Sequence, residues 1–128
     1  MTTREDVRAF LDRLELPVES IAEDMWLVRT LEGAELIVHY APPVLVLRVR
    51  VMPLPSDATK ESSLSRLLLE FNARDLVHGS YGIEGDHVVL TDALELTDLD
   101  FSEFEASVDS LSLALASHLS ALAPFGEK

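Results

Sequence analysis

Val44-Leu45-Val46-Leu47-Arg48-Val49-Arg50-Val51 has a strict period of two, so Leu45, Leu47, Val49 and Val51 share one side and Val44, Val46, Arg48 and Arg50 the other. The first set is continuous and apolar, which marks the core side of a sheet. The second mixes valine with arginine, as a face without a helix over it does. Breakers flank the run, Ala41-Pro42-Pro43 before it and Pro53-Leu54-Pro55-Ser56-Asp57 after it. Upstream, Met25 to Leu31 alternates around Trp26 and Val28. Glu32-Gly33 then supplies the positive φ of a hairpin turn, and a second strand spans Ala34 to Tyr40. Thr2 followed by Glu5 reads as a capping box opening a helix with Val7, Phe10, Leu11 and Leu14 on one stripe, which Pro17 ends.

Downstream, Leu64, Leu67, Leu68 and Phe71 have the spacing of a buried helical stripe. Tyr81 and Ile83 alternate up to Gly85-Asp86, a two-residue turn, and Val88, Leu90 and Leu94 form the return strand. Asp100 with Glu103 is a second capping box. It opens the longest helix, whose Phe101, Phe104, Val108, Leu111, Leu115, Leu119 and Leu122 fall within about 80° at 100° per residue. The expected order is therefore α-β-β-β-α-β-β-α, an α+β fold with an antiparallel sheet and helices packed mainly on one face. A chain of 128 residues fits one domain, residues 1–128, with a single core.

Composition removes several chemistries. There is no cysteine, hence no disulfide, thiolate zinc site or thiol nucleophile. Against 10 Lys and Arg stand 23 Asp and Glu, a net charge of −13, which repels phosphate backbones and anionic membranes; no direct nucleic-acid partner and no membrane are expected. From Asp75 to Glu127 there is no Lys or Arg at all while eleven acids accumulate, which reads either as a surface for solubility and colloidal repulsion or as an acidic surface that attracts a basic partner segment. The apolar runs are short, and Met1 to Asp6 mixes both charge signs without a signal-like apolar stretch, from which a cytoplasmic location is expected.

No motif with catalytic mechanics appears. His39, His78, His87 and His118 are dispersed, so no metal is expected; His118 reads as the wetter edge of the long helix's stripe. Ser107, Ser110, Ser112, Ser117 and Ser120 read as a solvated helix face without a base in reach, and the five glycines assemble no phosphate loop. No cofactor is implied. Arg48 and Arg50 project from one strand face, where they either pair with neighbouring acids or hold an anion. Apolar residues off their stripes are a stronger lead. Val44 and Val46 on the outer strand face, Leu69 and Leu113 off their helix stripes, and the second hairpin around Val88 and Leu90 are the candidate dimer or partner interface.

Four segments resemble those of YbjN-type proteins, which have the fold of type III secretion chaperones. They are Leu67-Leu68-Leu69-Glu70-Phe71-Asn72-Ala73-Arg74, Tyr81-Gly82-Ile83, Val88-Val89-Leu90 and Leu96-Thr97-Asp98-Leu99-Asp100-Phe101. The L-x-E-x-N-A-R segment at Leu68 to Arg74 is the most distinctive, and the resemblance covers roughly residues 60–122. It implies a homodimer that binds partner proteins without enzymatic activity, the partner offering an unfolded segment, while the acidic charge favours a basic one. The expectation is thus a non-enzymatic adaptor or chaperone-like module. The alternative is a small regulatory protein that binds an anionic metabolite or nucleotide through Arg48 and Arg50.

Overall fold

The computed structural model describes residues 1–126. Its elements are α1 (Arg4–Arg13), β1 (Val18–Ala22), β2 (Met25–Arg29), β3 (Glu35–Ala41), β4 (Val44–Pro53), α2 (Ala58–Arg74), β5 (Ser80–Glu84), β6 (His87–Glu95) and α3 (Phe101–Leu122), with a final 3-10 turn at Ala123–Phe125. The six strands form one antiparallel sheet in the order β1-β2-β3-β4-β6-β5. The α+β class and the antiparallel sheet are as the periodicities imply. One strand is added. β1 escaped pattern reading because it lies at the sheet edge with all five residues exposed, so nothing forces its side chains to alternate.

The long strand β4 organises the sheet. Leu45, Leu47 and Val49 are buried with Trp26, Val28, Leu36, Val38, Val88 and Leu90 on one face. Val51, the fourth residue of the core set, is partly buried, just where the β4–β6 register shifts between Arg50 and Met52. The helices cover this face. Val7 and Leu11 of α1, Leu64, Leu68 and Phe71 of α2, and Phe104, Val108, Leu111 and Leu122 of α3 complete the core. Phe10 links α1 to α3 through rings at 5.9 Å (Phe104) and 6.1 Å (Phe101).

Two local corrections concern helix starts and stripes. The first capping box is Thr3 with Asp6, not Thr2 with Glu5. Thr2 is buried instead, its hydroxyl donating to the Leu99 carbonyl at 2.9 Å and its amide to the Leu96 carbonyl at 2.8 Å, which ties the N-terminus to the β6–α3 connection. The second box, Asp100 with Glu103, is present as read. On α3 the buried stripe takes His118 rather than Leu119, which is exposed. By length and composition alone Phe101–Phe125 could cross a membrane, but its buried stripe is packed on the sheet.

Gly79 is the one glycine the core demands. It enters β5 at φ +76°, and a Cβ there would lie 2.7 Å from the Thr91 carbonyl oxygen and 2.8 Å from Leu111 Cδ2. That close approach seats β5 against both β6 and α3.

Candidate protein-binding surfaces

The L-x-E-x-N-A-R segment ends α2, and its asparagine acts on the sheet. Asn72 Oδ1 accepts from the Tyr81 amide at 2.7 Å, and Asn72 Nδ2 donates to the Tyr81 carbonyl at 3.1 Å. In an antiparallel ladder both groups of one residue point to the same side. The amide side chain therefore closes the β5 edge at Tyr81, where the backbone would otherwise be free to pair with another chain. The other edge is blunted differently: β1 is short and carries a register irregularity between Ser20 and Ala22.

Behind Asn72 lies a buried polar network. The Tyr81 hydroxyl is 2.7 Å from His118 Nδ1, and His118 Nε2 is 3.1 Å from Asp75 Oδ2. With Nε2–H donating to the carboxylate, Nδ1 is free to accept from the tyrosine. Burial, and secondarily the Asp75 charge, pushes the Tyr81 hydroxyl up to about 12, so it stays protonated as a donor. The His118 ring also stacks on Phe71 at 3.7 Å and 2°. The network joins α2, β5 and α3, and explains why His118 is buried where a wetter position was expected. The serine expectation is corrected too. Ser107 and Ser112 are buried: Ser107 donates to Asp92 at 2.7 Å, and Ser112 donates to Glu32 at 2.6 Å with Thr30 Oγ1 at 2.8 Å. Buried hydroxyls need such partners.

Outside this network several apolar side chains are exposed on α2 and α3. Leu69 is 67% exposed, Leu113 55% and Leu119 58%. Val77, in the α2–β5 connection, is 87% exposed and shares an open depression with Leu113, Ala114 and His118, which Arg74 and Asp75 also line. From Ser110 to Gly126, α3 and its 3-10 turn carry no Asp, Glu, Lys or Arg. Leu69 and Leu113 thus stand where the sequence placed them. Val88 and Leu90 do not: both are fully buried beneath the helices, and they leave the set of surface candidates. On an alternating strand the core side and the outer side cannot both be offered to a partner. The exposed apolar residue of that hairpin is Ile83. Val77 was missed because a lone valine in a connection has no periodic partner to mark it.

Among the described residues, no element packs over the face of the sheet away from the helices. Register places Met25, Leu27, Ile37, His39, Val44, Val46, Arg48, Arg50 and Val89 on this side. Val44 and Val46 are half-buried here by their neighbours. Arg48 pairs with Glu84 at 2.9 Å, the neighbouring-acid option left open by the sequence. Arg50 makes no ion pair among the described residues. Nor do any three His, Asp or Glu of the described residues converge as a metal site would require.

The chain matches the CesT_Tir_1 family model over residues 1–128. No curated protein matches. Among solved structures it is similar to YbjN, a putative transcription regulator from E. coli, at TM-score 0.68 and 12% identity over 93% of both chains. It is similar to a chain of the heterodimeric ExoU-SpcU complex of the Pseudomonas aeruginosa type III secretion system, at TM-score 0.67 and 19% identity over 93% of this chain and 96% of that one. A chain of the ExsC-ExsE complex aligns at TM-score 0.63 and 18% identity over 92% and 94%. At these identities the likeness is one of fold.

Proposed function

Because this chain belongs to the CesT_Tir_1 family, we propose that it is a non-enzymatic, chaperone-like protein-binding module that acts as a homodimer. The observation that carries the reading is the set of exposed apolar side chains on α2, α3 and the α2–β5 connection, Leu69, Val77, Leu113 and Leu119, beside a part of α3 that has no Asp, Glu, Lys or Arg from Ser110 onward. Two copies at −13 each repel across most of their surfaces. An isologous contact therefore belongs where acids are few or already paired, as Glu70 is with Arg66 and Arg74 and Asp75 with His118, and it needs only one self-complementary patch. Like the ExoU-SpcU and ExsC-ExsE structures, whose chains pair with a second protein, the dimer would hold a partner segment on surfaces left free. The acidic remainder keeps the assembly soluble and favours a partner with basic flanks.

Sedimentation equilibrium tests the dimer. Twice the chain mass of 14.2 kDa is expected for the native sequence, and Leu69→Asp with Leu113→Asp should shift it toward monomer with the helical signal unchanged. Both substitutions sit at exposed positions, so folding is spared. A mass of 14.2 kDa at every concentration would remove the homodimer.

A further inference from the structure

Three of the chain's ten basic residues, Arg29, Arg48 and Arg50, lie on the open face of the sheet. They are not equally satisfied. Arg29 is flanked by Glu19 at 3.6 Å and Glu35 at 3.5 Å. Arg48 spends Nη1 on Glu84 and leaves its Nε buried without an acceptor among the described residues. Arg50, two residues along the same side of β4, is exposed and has no carboxylate or hydrogen-bond acceptor among the described residues. In a chain with more than two acids per base, an unpaired guanidinium beside a half-paired one is unexpected. The two border an open depression of about 400 Å³ whose floor is Leu27, Ile37 and Val89.

We propose that this face is the docking site for a partner protein's segment carrying a single carboxylate among apolar side chains, with Arg50 and Arg48 as its anchor. The chemistry follows from what each part lacks. A planar guanidinium is matched by a carboxylate, in one or two parallel N–H···O bonds. The apolar floor asks for Leu, Ile or Val side chains on either side of that acid. Glu35 and Glu84 on the rim, and the −13 net charge, disfavour a dense polyanion such as nucleic acid. One free guanidinium with a half-free neighbour therefore selects a lone acid in an apolar context. The inference rests on the protein-binding reading but uses a surface separate from the α2–α3 patch, so the two fail separately.

The arginine side chains report on themselves, because each Nε–H gives its own signal in a ¹⁵N–¹H correlation spectrum. The probe is the peptide acetyl-Ser-Leu-Glu-Leu-Ser-amide, with its Gln counterpart and sodium acetate as comparisons. The acidic peptide is expected to shift the Arg48 and Arg50 Nε–H signals and the Leu27, Ile37 and Val89 amides. The Gln peptide should bind at least tenfold more weakly, and Arg50→Met should abolish the difference while leaving the thermal melt unchanged. Equal binding of the two peptides, or no shift with either, overturns the proposal. Equal saturation by acetate alone assigns the face to small anions and overturns it as well. Shifts of the same signals with protein concentration alone would assign the face to a second copy, again against the proposal.

Discussion

Removing the Asn72 side chain is the sharpest perturbation of the fold that the structure offers. Asn72→Ala deletes two hydrogen bonds, 2.7 and 3.1 Å long, to the backbone of one residue, Tyr81. Each such bond contributes about 0.5–1.5 kcal/mol net, and a stranded, poorly hydrated backbone group costs toward the upper end, so the loss is about 2 kcal/mol. For a domain of this size that corresponds to a fall in melting temperature of about 8 °C. Asn72→Asp should cost more. Its Oδ1 still accepts from the Tyr81 amide, but the second oxygen faces the Tyr81 carbonyl, replacing attraction with repulsion. Urea denaturation followed by circular dichroism measures both. The expected ranking is native above Asn72→Ala above Asn72→Asp, with unchanged denaturant slopes. The reasoning fails if Asn72→Ala lies within about 0.5 kcal/mol of native, the ordinary range for a surface substitution.

Gly79→Ala meets the Thr91 carbonyl and Leu111 while forcing a left-handed φ, and should lower stability by about 2–3 kcal/mol in the same urea assay. Tyr81 makes stability fall in alkali. Its folded pKa of about 12 stands above the ordinary 10.0, so its contribution is complete below pH 10 and is lost as pH rises from 10 to 12. The loss amounts to about 2 kcal/mol and should be missing from the pH profile of Tyr81→Phe. At the acid end, the Glu103 amide and then Ser102 hold the Asp100 carboxylate below its usual range. Asp100→Ala should therefore melt at a lower temperature than native at pH 7, with the gap closing as pH falls through the carboxylate range.

The sheet was legible because β4 carries its own two-faced pattern and because the turns at Gly33 and Gly85 are marked by the residue types their positive φ favours. β1 was not, since an edge strand exposed on both faces imposes no alternation on its sequence. The side of β6 that enters the core depends on register. Val88 and Leu90 look the same in sequence whether they face helices or solvent, and only their pairing with β4 decides it. Leu69 and Leu113 could be read as exposed because a helix stripe is defined by its own spacing. His118 could not, since its burial depends on Phe71, Asp75 and Tyr81, which lie 37 to 47 residues away and converge only in the fold. The role of Asn72 was hidden for the same reason. A resemblance can single out the residue, but only the fold shows that it closes a strand edge.

Native mass spectrometry of the protein isolated from the cells that make it tests the central claim most directly. The account predicts a species heavier than twice 14.2 kDa, made of two copies and a further polypeptide, with disruption by Leu69→Asp and Leu113→Asp together. Recovery of the bare 14.2 kDa chain, alone or with a small molecule only, would contradict it.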